Sequence, residues 1–373
     1  MPAPMTPDAR ADLLSRIWWA GVQAVRGDSA VARSLQDNPI PPPDLILAVG
    51  KAAVAMARPA QALFGARTLA VTKHGHSAEG LPFAVLQSAH PVPDQSSLTA
   101  GAALLAEVQA APAGSHLLFL VSGGASALAE VPRPGRTLAD VAALNRALLA
   151  SGKDIAAMNV ARSALSAVKG GGLLAAFGGA RVTVLALSDT RGDLIETIGS
   201  GIGLALPRPG LAVETRIVAS NAVARAAAVT AARALGLVVL QDAESLYDDV
   251  AVCAEGMARD LPAGPGLAIW GGEPTVILPP GPGQGGRNQA LALHLARAIR
   301  GRDDVSVLVA GTDGSDGPTA AAGGLVDGAT WTEDAAGFLR RADSGRYLAR
   351  RNALFTTGPT GTNVMDLALA LRG

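Results

Sequence analysis

Short apolar runs, each followed by small polar residues and then an alanine- or leucine-rich stretch, recur along the whole chain. Such runs, rich in aliphatic and β-branched residues, read as buried strands. Strands are predicted at 44–49, 69–72, 117–121, 181–187, 217–219, 237–240, 267–270, 305–309 and 353–356, with 276–278 pairing beside 267–270. Helical spacing of apolar positions predicts helices over 13–25, 52–63, 154–168, 222–235, 290–300, 343–351 and 364–371. Thr6-Pro7-Asp8 supplies a cap, a first-turn proline and an acid for the first of these. Strand, polar turn and helix in repetition predict an α/β fold with mainly parallel sheets.

The chemistry sits in the turns. Gly50-Lys51-Ala52-Ala53 places a lysine where a helix N-terminus already attracts anions, without the spacing of a Walker A loop. Ser122-Gly123-Gly124-Ala125-Ser126 leaves amides open beside hydroxyls, a geometry that suits phosphate or carboxylate. On a helix through 154–168, Asn159, Arg162, Ser163, Ser166 and Lys169 share one polar, cationic arc, as the wall of an anion cleft would. Asp189 ends a core strand and suits a metal ligand or a base. Further on, a glycine-rich loop delivers Arg287-Asn288-Gln289 to a helix start, and an arginine there can clamp an anion with two N–H groups. Asp313 and Asp316 lie among the glycines of the stretch 310–319. His74 and His76 lack a third ligand at zinc spacing, and His90 reads as structural. Gly199-Ser200-Gly201 does not have dinucleotide-fingerprint spacing.

Composition narrows the partners. The 373 residues suffice for two domains, and the polar stretch from Gln241 with the prolines near 262 suggests a division into 1–245 and 246–373. Zero net charge gives no footprint for nucleic acid or acidic membrane, and aromatics at 3% argue against base stacking. One cysteine, Cys253, excludes an internal disulfide framework. No signal pattern or bilayer-length apolar run is seen, so a cytoplasmic protein is expected.

Taken in order, these turns resemble the glycerate 2-kinase family, whose C-terminal part is the MOFRL domain. The matching residues are Gly50-Lys51-Ala52-Ala53, Gly75-His76, His90 to Asp94, Ser122-Gly123-Gly124 with Ser126, and Leu149 with Ser151-Gly152. Asn159 with Arg162, Ser166 with Lys169-Gly-Gly171, and Ser188-Asp189 with Gly192-Asp193 continue the series. Gly271-Gly272-Glu273, Gly285 to Gln289, Gly311 to Thr319 and Thr357 to Asn363 complete it. The resemblance implies a Rossmann-like N-terminal domain, a smaller α/β C-terminal domain, and an active site in the cleft between them. It implies ATP- and Mg²⁺-dependent phosphorylation of D-glycerate at the 2-hydroxyl. Lys51 and Arg287 would be the catalytic pair, joined by Asp189. Ser122, Gly123, Gly124, Ser126, Asn159, Arg162, Lys169, Glu273, Asn288, Thr312 and Thr360 would contact substrate or nucleotide. Asp189, Asp313 and Asp316 would serve Mg²⁺. The sequence departs from the family pattern at Gly172, Ala290 and Gly201-Ile202-Gly203, which keeps another hydroxy acid open as substrate. A hydroxypyruvate reductase is the other alternative. A homodimer is compatible with the sequence but not specified by it.

Overall fold

The computed structural model describes residues 5–76, 79–150 and 155–373; Ser151-Gly152 and the predicted helix start at Asp154 lie outside them. The chain forms two compact units. One comprises Val25–Ser220 with Gly361–Asn363, and the other the segment ending at Ala24, Asn221–Thr360 and Val364–Gly373. Among the described residues no helix is long and apolar enough to cross a membrane.

The unit beginning at Val25 is built on β1 (Leu45–Val49), β2 (Arg67–Lys73), β3 (Ala84–Ser88), β4 (His116–Val121), β5 (Arg181–Leu187) and β6 (Ala212–Ala219). They form one fully parallel sheet in the order β3-β2-β1-β4-β5-β6. Every residue of β1 and β4 is buried, which explains why both read as unbroken apolar runs rather than alternating ones. The helix Gln95–Ala110 lays Ala100, Leu104 and Val108 into a core that also holds Leu47, Phe119 and Val184. This is the doubly wound order, and its direction reverses between β1 and β4. In open α/β sheets that reversal opens a crevice at the carboxyl ends of the two strands.

The second unit carries β7 (Val239–Leu246), β8 (Gly266–Gly272), β9 (Val305–Gly311), β10 (Gly323–Asp327), β11 (Leu354–Phe355) and β12 (Asp366–Arg372). Its order is β11-β10-β9-β12-β8-β7, and only β7 and β8 run parallel. The expectation of mainly parallel sheets therefore holds for the first sheet and not for this one. The predicted closing helix at 364–371 is also replaced, by β12 at the centre of the sheet. Leu367, Ala368, Leu369, Ala370 and Leu371 are all fully buried, so no polar face marks a period. Burial of each leucine contributes about 1.5–3 kcal/mol, enough for tertiary pairing to override helix propensity. Val276-Ile277-Leu278 does not form the expected strand. Ile277 and Leu278 stand exposed.

The first helix belongs to the compact unit of the second sheet. The helix Pro7–Ala24 packs on the helix Asn221–Ala234, and Gly21 permits it, since a Cβ there would lie 2.9 Å from the Ala224 carbonyl. Arg10, fully buried, pins the first helix to the second sheet. Its Nε donates to Ser306 Oγ, and its two terminal nitrogens reach the carbonyls of Met5, Asp303 and Gly373.

Candidate active site

At the β1/β4 reversal the first sheet gathers several of the predicted residues. Gly50 has φ +132, and a Cβ there would stand 2.1 Å from Ser122 Oγ, so only glycine lets the two turns close on each other. Ser122 Oγ accepts the Ala52 N–H at 3.0 Å, and the Lys51 N–H donates to the Gly123 carbonyl at 2.9 Å. Thr72 Oγ1 reaches the Lys51 carbonyl at 3.4 Å. Lys51 is thus fixed through its backbone, and the residue is half-buried. Gly124, at φ +84, lies beside its side chain: a Cβ on it would meet Lys51 Cγ at 3.2 Å and the His90 ring at 3.2–3.3 Å.

Asp189, delivered by β5, closes the group. A Cβ on Gly123 would fall 1.9 Å from Asp189 Oδ2 and 2.3 Å from Asn363 Nδ2, so the carboxylate lies directly against the open glycine backbone. Asn363 Nδ2 donates to Asp189 Oδ2 at 3.2 Å. Asn363 stands in a Gly/Thr turn more than 170 positions away in the chain, and its role here is invisible to local reading. A carboxylate oxygen is a hard donor of the kind Mg²⁺ takes, commonly together with phosphate and water. Among the described residues no three or more His, Cys, Asp or Glu side chains converge as a ready metal cage.

The polar residues of the helix Ile155–Leu165 brace this centre. Asn159 Nδ2 donates to the Thr197 carbonyl at 3.2 Å and its Oδ1 accepts Ser200 Oγ–H at 2.8 Å. Ser200 Oγ also pairs with Ser126 Oγ at 2.8 Å, and Thr197 Oγ1 pairs with Thr190 Oγ1 at 2.8 Å, beside Asp189. Ser126 and Asn159 therefore tie three loops together. Arg162 Nε donates to Asn145 Oδ1 at 2.9 Å.

Lys169 does not belong to the predicted cationic arc. The helix stops at Leu165, and Lys169 is buried in an ion pair with Glu130, Nζ to Oε2 at 2.5 Å, both side chains fully inaccessible. Burial pushes the ammonium pKa down, and Glu130 opposes that shift. The pair is part of the interior of its unit.

In the second unit, Arg287 opens the helix Arg287–Ala298 and meets two carboxylates. Its Nε and one terminal nitrogen donate to Asp366 Oδ2 and Oδ1 at 2.6 and 3.1 Å, and the other donates to Glu273 Oε1 at 2.8 Å. Burial works against its charge, but Asp366 and Glu273 outweigh it and hold the pKa well above the ordinary arginine value. Three of its five N–H groups are so committed, and the side chain keeps about a third of its surface open. Asp366, read above as part of a helix, is the first residue of β12, and that register is what brings it to Arg287.

The other predicted residues of this unit are held mostly within the protein. Thr312 Oγ1 donates to the Met365 carbonyl at 2.6 Å and accepts the Val364 N–H at 2.9 Å, and Thr360 Oγ1 donates to the Thr312 carbonyl at 2.5 Å. Asn288 is buried, with its amide turned toward Gly311. Asp313 Oδ1 accepts the N–H and Oγ–H of Ser315, both at 2.9 Å.

Asp316 is 2% exposed, and its two oxygens accept the N–H groups of Asn288 and Gln289 at 3.1 and 2.8 Å. It caps the Arg287 helix from a distant loop, and Gly286 makes room for it. That use, rather than metal binding, accounts for both oxygens. Burial pushes its carboxyl up to about 7, against the two amides that favour the ionised form. Its ordinary pKa is 3.8, so between about pH 4 and 7 the folded protein keeps a proton that the unfolded chain has lost. Stability from this group is complete below about pH 4 and falls as pH rises to about 7, by a few kcal/mol at about 1.4 kcal/mol per pKa unit. Asp316→Asn, which keeps an acceptor for the amides, is expected to remove that fall. Urea unfolding of both proteins at pH 4.5 and 7.5 checks it; equal pH slopes would contradict it.

A doubly wound parallel sheet with a lysine and a glycine turn at its reversal point is a Rossmann-like α/β arrangement. Comparison with known proteins refines this. Residues 13–241 match the domain of unknown function DUF4147, and residues 266–366 match the MOFRL family. The chain is 35% identical to the D-glycerate 2-kinase of Thermotoga maritima, covering 98% of this chain and 99% of that one. A protein of Agrobacterium vitis, provisionally named hydroxypyruvate reductase, is 33% identical over 97% of this chain and 94% of its own. The crystal structure of a glycerate kinase from Thermotoga maritima superposes with a TM-score of 0.85 at 33% identity, covering 98% of this chain and all of that one. The chain belongs to the glycerate 2-kinase family with a MOFRL C-terminal part, and it is a kinase.

Proposed function

We propose that the protein transfers the γ-phosphoryl group of ATP to the 2-hydroxyl of D-glycerate, giving 2-phosphoglycerate and ADP. The observation that carries this reading is the grouping of Lys51, the Ser122–Gly124 turn and Asp189 at the β1/β4 reversal. Phosphoryl transfer requires alignment and charge neutralisation more than covalent help. In this reading the amides of Gly123 and Gly124 and the Lys51 ammonium bind phosphate oxygens. The 2-hydroxyl oxygen bonds to the γ-phosphorus as the bond to the ADP oxygen breaks, and Asp189 accepts the hydroxyl proton. Asn363 holds one Asp189 oxygen and so orients the carboxylate. Arg287, kept charged by Asp366 and Glu273, is the cation of the other unit that is suited to an anion. Asp189 is the carboxylate of this grouping suited to Mg²⁺, which when bound would neutralise phosphate charge.

Gly123→Ala tests the grouping. The added methyl must displace Asp189 and Asn363, and a misplacement of about 1 Å is expected to lower kcat on the order of 10²-fold. Steady-state kinetics alongside a thermal melt measure this; a stable variant with full kcat would contradict it. A direct assay separates the reaction types: ATP with D-glycerate should release ADP, whereas a reductase would consume NADH or NADPH with hydroxypyruvate. Nicotinamide oxidation without ADP formation would overturn the proposal.

A further inference from the structure

We propose that the loop 276–284 and the helices flanking it form a self-complementary surface on which a second copy of this chain docks about a two-fold axis. The inference concerns assembly and is independent of the reaction catalysed. Ile277 and Leu278, expected to pair as a strand, instead stand 84% and 58% exposed on this loop. The loop is fastened at both ends. At its start the Thr275 N–H donates to the Asp248 carbonyl at 3.0 Å, and the Thr275 carbonyl accepts the Val250 N–H at 2.8 Å. At its end the Gly283 N–H donates to the Arg341 carbonyl at 2.7 Å, and the Gln284 N–H donates to Asp343 Oδ1 at 2.8 Å. Pro279, Pro280 and Pro282 stiffen the span between. Two large aliphatic side chains are thus presented to water on a fixed support, as a surface meant for covering presents them.

The loop borders a cavity of about 120 Å³, with Ile277 in its lining. Val250, opening the helix Val250–Arg259, forms one side, and Leu339 and Ser344, from the helices Ala335–Arg340 and Ser344–Arg350, form the other. Ala290 and His294 of the helix Arg287–Ala298, on which all three helices pack, make the floor. A cavity of roughly 150 Å³ holds a benzene ring, so this one suits a single aliphatic side chain.

Charge decides which partner fits. On the Val250 side Asp248 and Glu255 are exposed; on the Leu339 side Arg340, Arg341 and Arg346 are exposed. Among the described residues only Arg346 of these five is in an ion pair, with Asp343 at 3.5 Å. A partner carrying one sign of charge would meet repulsion on one side of the loop. A second copy turned by 180° sets its arginines against the acids and its acids against the arginines, and so matches both sides. In that arrangement Leu278 of each copy enters the cavity of the other.

Sedimentation equilibrium of the full chain at tens of micromolar is expected to give twice the chain mass. Leu278→Glu, a change at an exposed position, is expected to raise the dimer Kd by about 30-fold or more while the circular dichroism spectrum stays that of the wild type. Arg340→Glu with Arg341→Glu, and separately Asp248→Lys with Glu255→Lys, are each expected to leave monomers, because like charges then oppose each other across the axis. Mixed in equal amounts, these two double variants are expected to associate again, since every pair across the axis then carries opposite signs. A monomeric wild type would overturn the proposal and leave the surface to a different protein. A dimer whose Kd Leu278→Glu does not change would place the contact elsewhere and overturn it. Double variants that stay apart when mixed would overturn the two-fold pairing of acids with arginines.

Discussion

Replacing Lys51 by methionine is expected to lower kcat by about 10³-fold, with the melting temperature almost unchanged. The two halves of that expectation have separate causes. Stability persists because the turn is fixed by backbone groups, namely the Lys51 N–H on the Gly123 carbonyl and the Ala52 N–H on Ser122 Oγ. Methionine retains the unbranched stem that lies against Gly124. Activity falls because the ammonium is the charge that this reading assigns to the phosphate at the sheet reversal, where a low-dielectric wall strengthens it. Steady-state ADP release and a thermal melt on the same preparation check both halves. A folded Lys51→Met enzyme with kcat within about threefold of wild type would remove Lys51 from the mechanism.

Lys169→Met is expected to do the opposite, acting on stability before chemistry. Lys169 and Glu130 are each fully inaccessible, and Glu130 Oε1 has no hydrogen-bond partner among the described residues. Removing the cation strands a buried carboxylate, a change that typically costs about 3–5 kcal/mol. For a unit of this size that lowers Tm by about 10 °C or more. Replacing both partners, as Lys169→Met with Glu130→Leu, is expected to restore most of the loss, since a well-packed apolar pair is often no worse than a buried ion pair. Differential scanning calorimetry of the three proteins decides the matter. A single variant as stable as wild type but weak in substrate binding would return Lys169 to the ligand.

The contrast between these lysines shows what local sequence can and cannot carry. Gly50-Lys51, Ser122–Gly124 and Ser188-Asp189 are legible because each follows a strand buried wholly or, in β5, from its second residue on, and small residues abruptly replace the apolar run. Lys169 misled because helical spacing was extended past Leu165, and Glu130, its partner, lies 39 positions earlier. β12 was hidden for a related reason: leucine and alanine favour helices, and only pairing with β8 and β9 makes them a strand. With β12 misread, Asp366 could not be placed beside Arg287, although Glu273 and Arg287 were both singled out. Asn363 and the His90 contact depend on approaches across long stretches of chain, which glycine spacing signals only as a need for room. That the first helix and residues 221–246 belong to the unit of the second sheet follows from contacts distant in the chain, which local sequence does not reveal.

Phosphorus NMR of the product distinguishes transfer of phosphate from ATP to the 2-hydroxyl of D-glycerate from every other outcome. Phosphate on the secondary carbon couples to one proton, so a doublet is expected for the new ester together with the resonances of ADP. A triplet, from phosphate on the terminal CH₂, or the absence of any new ester while ATP persists, would contradict it.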